Sequence, residues 1–574
     1  MNLFFVLAHV KRVLFLVLFF ATSISASAQR IIIINPVFFH ADSAKKLLLI
    51  NAPLQQLRAA VQGRDSITGL VASGRQYTFV RPVAKLSTRT SYRAASQGTT
   101  YTVCFTQVPV LALSTRYQVV DTPSVYARLM LTDTTGITAQ SATGIEIRGD
   151  YSQSYPKKSF ELSLWADTLG AASRELALLG LRQDNKWNLQ AMYNDQLRVR
   201  LKVANELWQD IHQLYYKAQE PSAKSGIALA YTEVFINGSY QGIYTLTERI
   251  DRKQLKLKKY AQGIKGELYK GDNWGAATKF SSAPPFNNNS LTWGGFAYKE
   301  PSEVTDWANL SDFVSFVTTS SDGNFYSQYQ SRFNLANAVD YYLFLNLVRA
   351  TDNTAKNNYI AKYKANEPYY YVPWDLDGVL GNDWSGANVN ITNDILSNGF
   401  YDRLVKDYSA TGFQAALSRR WSSLRTSVVT EAGIGARIST NHAYLLQNNV
   451  YEREQLAWPD YQYDAGQVAY PGTWLKDRLA YLDAAFGPAA VLSAAGATDI
   501  ALRVYPNPTS EYVYIETKSV PYQLSIQDVH GKTVLQTVLT SSVSRVAVGS
   551  LPKGLYLASL KTPATTVVKK LLIQ

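Results

Sequence analysis

The stretch 349–381, RATDNTAKNNYIAKYKANEPYYYVPWDLDGVLG, sets acidic groups on either side of a strand-like run. Asp352 comes first, followed by the amides of Asn357 and Asn358. The run 369–373, YYYVP, then leads directly into Asp375 and Asp377. Phosphoryl transfer to a hydroxyl needs this inventory. One carboxylate accepts the hydroxyl proton, and a second carboxylate with an amide holds the magnesium that neutralises the phosphates. A solvated Asp/Asn-rich turn is the competing reading of the same residues. The rest of the chain has to decide between them.

Composition narrows the classes. A chain of 574 residues is long enough for about three to four domains. Hydrophobic content of 46% with 12% aromatic residues supplies their cores. Cys104 is the only cysteine, which excludes a disulfide framework or a thiolate metal cluster. Five scattered histidines argue against a zinc hydrolase. The formal charge of +13 favours acidic partners such as nucleotides or an anionic cell surface. The basic residues form no long block, so no nucleic-acid partner is expected.

Both ends read as export signals. Lys11-Arg12, the apolar run 13–21 and Ser25-Ala26-Ser27-Ala28 fit a signal peptide over 1–28. Its apolar core is too short to span a bilayer comfortably, and no later run is long enough, so no stable membrane span is expected. Residues 30–107, rich in Val, Ile, Thr and Tyr, read as a small β-rich domain. A small-residue linker, 488–502, precedes 503–574, where short alternating strands are expected at 512–516, 522–528, 532–539, 544–548, 554–561 and 566–573. That pattern reads as a β-sandwich. Its Tyr505-Pro506-Asn507-Pro508 start, the Leu551-Pro552-Lys553-Gly554-Leu555-Tyr556 segment and the KKLLIQ end resemble the type A sorting domain of the type IX secretion system of Bacteroidota. The resemblance implies a transport address read by the secretion machinery, and a protein exported to the outer-membrane surface or secreted.

The centre, 108–487, mixes strands and helices. Strands are expected at 126–131, 143–148 and 157–164, and a helix over 195–215. A hairpin is expected around Asn237-Gly238, and a long helix over 335–350 directly before Asp352. Lysine-bearing strand, glutamate-bearing helix, hairpin, then a helical half with acidic loops is the order of parts in a two-lobed protein kinase. The interval from Asp352 to Asn357 also repeats the kinase spacing of catalytic Asp and metal-binding Asn.

The segments Arg148-Gly149…Pro156-Lys157-Lys158-Ser159-Phe160, Leu179-Gly180-Leu181…Trp187 and Asp195…Arg200…Glu206 resemble the spore-coat CotH kinase family of atypical kinases. So do the Asn237–Glu248 hairpin, Thr351-Asp352…Asn358-Tyr359, Trp374-Asp375-Leu376-Asp377 and Trp474…Arg478. The fold implied is α+β: a two-lobed atypical protein-kinase-like domain between the small β-rich domain and the β-sandwich. The resemblance implies that Lys158 neutralises nucleotide phosphates and pairs with Glu206. Lys157 is the rival, because a one-residue register change exchanges strand faces. Asp352 is the implied general base. Asp375 is the implied metal ligand, with Asn357 or Asn358 and with Asp377 as a second ligand or a turn residue. Arg148 and Glu248 are implied to face the nucleotide. ATP with Mg2+ or Mn2+ and a surface or secreted protein acceptor complete the expectation, with transfer to Ser or Thr. The loop 149–156 lacks the several glycines of ordinary kinase phosphate loops. Two alternatives stay open: a catalytically silent kinase-like scaffold, and a glycoside hydrolase built on the Asp352/Asp375 pair.

Overall fold

The computed structural model describes residues 30–59, 66–487, 503–516, 521–561 and 566–574. The expected signal peptide and the linker lie outside them. The first described region is one seven-stranded sheet. The strand Leu47–Ile50, sequence LLLI, is wholly buried within it. Alternation explains why four consecutive apolar residues are needed there. Leu48 and Ile50 point into the sheet's own core, while Leu47 and Leu49 pack with Val110, Phe235, Tyr240 and Ala457 of the domain that follows.

Seven strands then close into a barrel: Gly136–Arg148, Ser159–Trp165, Lys186–Gln190, Ser239–Thr247, Leu229–Ile236, Val110–Ser114 and Val125–Asp133, in spatial order. The hairpin Leu229–Ile236/Ser239–Thr247 turns on Asn237 and Gly238, both with positive φ (51° and 75°), the pairing that suits the twist of a two-residue hairpin. Inward Leu, Ile and Val side chains with Trp187 fill the barrel.

A helical half follows, built around a five-stranded sheet whose last two strands are Asn358–Lys362 and Tyr369–Pro373. Helix Leu335–Val348 has almost no polar face and is buried along nearly its whole length, as its composition requires. The helix expected over 195–215 is shorter, Arg200–Ile211. Asp195 accepts from the backbone N–H groups of Val199 and Arg200 and pairs with the Arg200 guanidinium at 2.7 Å, so the preceding turn stays non-helical.

The C-terminal region is a three-stranded and a four-stranded sheet sharing one core. Four of its expected strands coincide with those observed, and the other two, Thr533–Leu539 and Val543–Ala547, differ by one residue at their ends. The architecture is α+β, with C-terminal sheets arranged as a sandwich. Among the described residues no helix is long and apolar enough to cross a membrane.

Candidate active site

A cleft of about 630 Å³ lies between the barrel and the helical half. Arg148, Lys157 and Gln190 come to it from the barrel, and Asp352, Asn357, Asp375 and Asp377 from the helical half. The acidic side is built by two loops that flank the strand pair Asn358–Lys362/Tyr369–Pro373. Helix Leu335–Val348 ends on Arg349 in the left-handed conformation, and Asp352 opens the short 3-10 turn that follows. Asn357 and Asp375 are also left-handed (φ 55° and 57°), a conformation that Asn and Asp tolerate better than most residues.

One amide joins the two loops. Asn353 Nδ2 donates to the Asn357 carbonyl at 2.5 Å and to the Trp374 carbonyl at 2.8 Å, while Trp374 N–H donates to the Asn357 carbonyl. Asn358 is buried and its Nδ2 donates to the Asn353 carbonyl at 3.1 Å. Asn357 lines the cleft and Asn358 supports it from behind.

The carboxylates repel one another. Burial raises Asp352, with the Asp375 charge adding to the effect and Lys356 opposing it. Burial and the Asp375 charge push Asp377 up to about 7, against a 3.0 Å hydrogen bond from Asn194. None of the three forms an ion pair with a described cation. Among the described residues no group of three His, Cys, Asp or Glu side chains could hold a metal ion by itself.

The basic side departs from expectation. Lys158 Nζ donates to the backbone carbonyls of Gln153 (2.6 Å) and Tyr155 (2.5 Å) and stays out of the cleft, bracing the loop 149–156 instead. Glu206 pairs with Lys202 on its own helix, in a separate groove beside Tyr231 and Asn441. The expected Lys158–Glu206 pair is therefore absent. Glu248 is buried away from the cleft, where it accepts from the N–H groups of Arg182 and Ala228 and pairs with Lys224.

Lys157 takes the floor position. Its ammonium is fully buried and donates to both oxygens of Glu454 (2.9 and 3.0 Å) and to the Ile243 carbonyl (2.6 Å). Arg198 donates to the same carboxylate at 3.1 Å. Two cations thus share one anion. Burial, reinforced by the Arg198 charge, pushes Lys157 down to about 7, against the pull of Glu454. Gly242 makes the approach possible: a Cβ there would lie 2.0 Å from Glu454 Oε1. Arg148 Nη1 donates to Gln190 Oε1 at 2.6 Å, and its guanidinium lies 5.7 Å from the Trp374 ring centroid.

Sequence reasoning missed Asn353, Arg198 and Glu454. Only Asn353 lay within reach, as the amide next to Asp352. Residues 145–482 match the family model described as CotH kinase protein. The chain belongs to the CotH kinase family. The CotH match begins inside the third barrel strand in chain order, Gly136–Arg148, and ends in the last helix of the helical half, Tyr470–Phe486. Residues 503–574 match the Secretion system C-terminal sorting domain, so this CotH-family chain carries a type IX sorting module. No curated protein matches the chain. Similar solved structures include a biofilm-associated protein BSP domain, 8% identical with a TM-score of 0.13, covering 84% of this chain and 77% of that one. Another is the twitchin kinase region from C. elegans, 8% identical with a TM-score of 0.13, covering 87% and 96%. At those scores neither bears on the fold.

Proposed function

We propose that this protein is an exported, two-lobed atypical protein kinase, transferring the γ-phosphoryl group of ATP to a Ser or Thr hydroxyl of a secreted or surface protein. The observation that carries the reading is the sharing of one cleft by Asp352, Asp375 and Asp377 on one wall and Arg148 and Lys157 on the other. Asp352, raised by burial, accepts the acceptor hydroxyl proton as that oxygen attacks the γ-phosphorus and ADP leaves.

Lys157 replaces Lys158 in this reading, and Glu454 replaces Glu206 as the carboxylate that orients it. Below about pH 7, where Lys157 is protonated, Lys157 and Arg198 together outweigh the Glu454 charge, which suits an anionic ligand above the cleft floor. Arg148 is held by Gln190 as a phosphate contact. Repelling hard-oxygen donors without a paired cation fit Mg2+ or Mn2+, which bind through one or two carboxylates plus substrate phosphates. Asp375, Asp377 and Asn357 would hold it, and when bound it supplies neutralisation of the phosphate charge.

A silent kinase-like scaffold on the cell surface is the second reading, favoured by the complete enclosure of the Lys157 ammonium. Incubation of the full chain with labelled ATP, magnesium and a secreted-protein fraction separates the two. Asp375→Ala and Asp352→Asn should each lower transfer by about a hundredfold or more while leaving the thermal midpoint nearly in place. Transfer indifferent to both changes would remove the kinase reading.

A further inference from the structure

A second cavity of about 630 Å³ lies where the barrel passes into the helical half, and the catalytic cleft shares no residue with it. The segment 252–259, RKQLKLKK, supplies five cations to its wall, and Arg182 and Lys224 add two more. Glu175 and Glu220 are the acidic residues on the same wall. Several of the cations are compensated: Arg182 by Asp184 and Asp251, Lys224 by Glu248, Lys253 by Glu175 and Lys258 by Glu220. Arg252 has only a 4.0 Å contact with Glu300, and Lys256 and Lys259 have no ion pair among the described residues.

We propose that this cavity binds a ligand carrying clustered phosphate groups, with Lys256 and Lys259 supplying uncompensated charge. The physical basis is the surplus charge of Lys256 and Lys259, left over on a concave wall whose other cations are mostly paired. The Arg182 and Lys224 pairs, each made to a buried carboxylate, hold the back of the wall in place. Phosphate suits it better than a lone carboxylate, since several oxygens can meet donors from three separate segments: the loop bearing Glu175 and Arg182, the segment of Glu220 to Lys224, and 252–259. The same chemistry is offered by a free polyphosphate and by the phosphorylated headgroup of a lipid. The inference is independent of phosphoryl transfer in the cleft.

The test is calorimetric titration of the full chain with inorganic pyrophosphate, beside flotation with phosphatidylcholine vesicles doped with a phosphatidylinositol bisphosphate. Saturable binding in either arm is expected, and the arm that responds identifies the source. The double variant Lys256→Glu/Lys259→Glu should weaken it by about tenfold or more. The variant Lys85→Glu/Arg89→Glu, which changes net charge equally on the N-terminal sheet domain, should leave it unchanged. Basal phosphoryl transfer should survive both variants. Absence of binding in both arms, indifference to the Lys256/Lys259 change, or equal loss in the two variants would each overturn the site.

Discussion

Glu454 is the residue on which the basic side of the cleft depends. Its carboxylate accepts from Lys157, from Arg198 and from the Ile243 N–H, with no water-exposed surface on any of the charged partners. Removing one member of such a cluster leaves buried charge uncompensated, which typically costs 3–5 kcal/mol. Glu454→Ala should therefore lower the unfolding free energy by that order and the denaturation midpoint with it, and Glu454→Gln, which keeps the shape, should cost less. A midpoint unchanged in Glu454→Ala would show that the cluster is not closed in solution. Asn353 makes a different claim. Its amide holds the Asp352 loop against the Trp374–Asp375 loop without itself lining the cleft. Asn353→Ala should slow the proposed phosphoryl transfer by about tenfold through misplacement, with the apparent affinity for nucleotide nearly unchanged. A large loss of nucleotide affinity with normal turnover would contradict that role.

At the scale of elements, the joint between the N-terminal sheet and the barrel combines buried polar contacts with an apolar patch. Asn51 Nδ2 donates to Thr132, Asp42 accepts from the Tyr240 N–H, and His40 packs against Phe235. Burial pushes His40 down to about 4, with Asn51 and the Glu233 charge pulling the other way. The unfolded chain then binds the proton more readily than the folded one between pH 6.5 and 4. The contribution is complete above pH 6.5 and is lost as pH falls toward 4, up to about 3 kcal/mol. His40→Gln should flatten that part of the stability profile, measured by denaturant unfolding across pH. A slope surviving in His40→Gln would assign it elsewhere.

The elements themselves were largely legible. Alternation and the Asn237-Gly238 turn mark the hairpin, and an apolar surface on all sides marks Leu335–Val348 as buried. Closure of the barrel was not legible, because alternation reports which face a residue takes and not which strands meet at the seam. The choice between Lys157 and Lys158 hung on a single register step at a strand entrance. Glu454 was out of reach altogether: 297 positions separate it from Lys157, and nothing local distinguishes it from any helix carboxylate.

Across the whole molecule, the two terminal domains differ in how they are attached. The C-terminal sandwich has a core of its own, formed by Val513, Ile515, Leu524, Ile526 and their neighbours. Deleting 503–574 should leave the unfolding midpoint of the remainder within error. The N-terminal sheet shares Leu47 and Leu49 with the barrel, and its Thr106 hydroxyl bonds to Glu233, the partner of Arg453. A chain lacking 30–107 should be insoluble or lose cooperative unfolding, because it bares that apolar face and unseats a buried ion pair. A well-folded product would show that the sheet is dispensable. Arg453 and Glu454 are neighbours on helix Val450–Ala457, and they carry opposite charges to separate partners, Glu233 on the barrel for the first and Lys157 with Arg198 for the second. Each helix residue turns by about 100°. Inserting one residue just upstream of Arg453 would swing both charges off their partners together, so this short helix tolerates substitution at its outer face but no change of length.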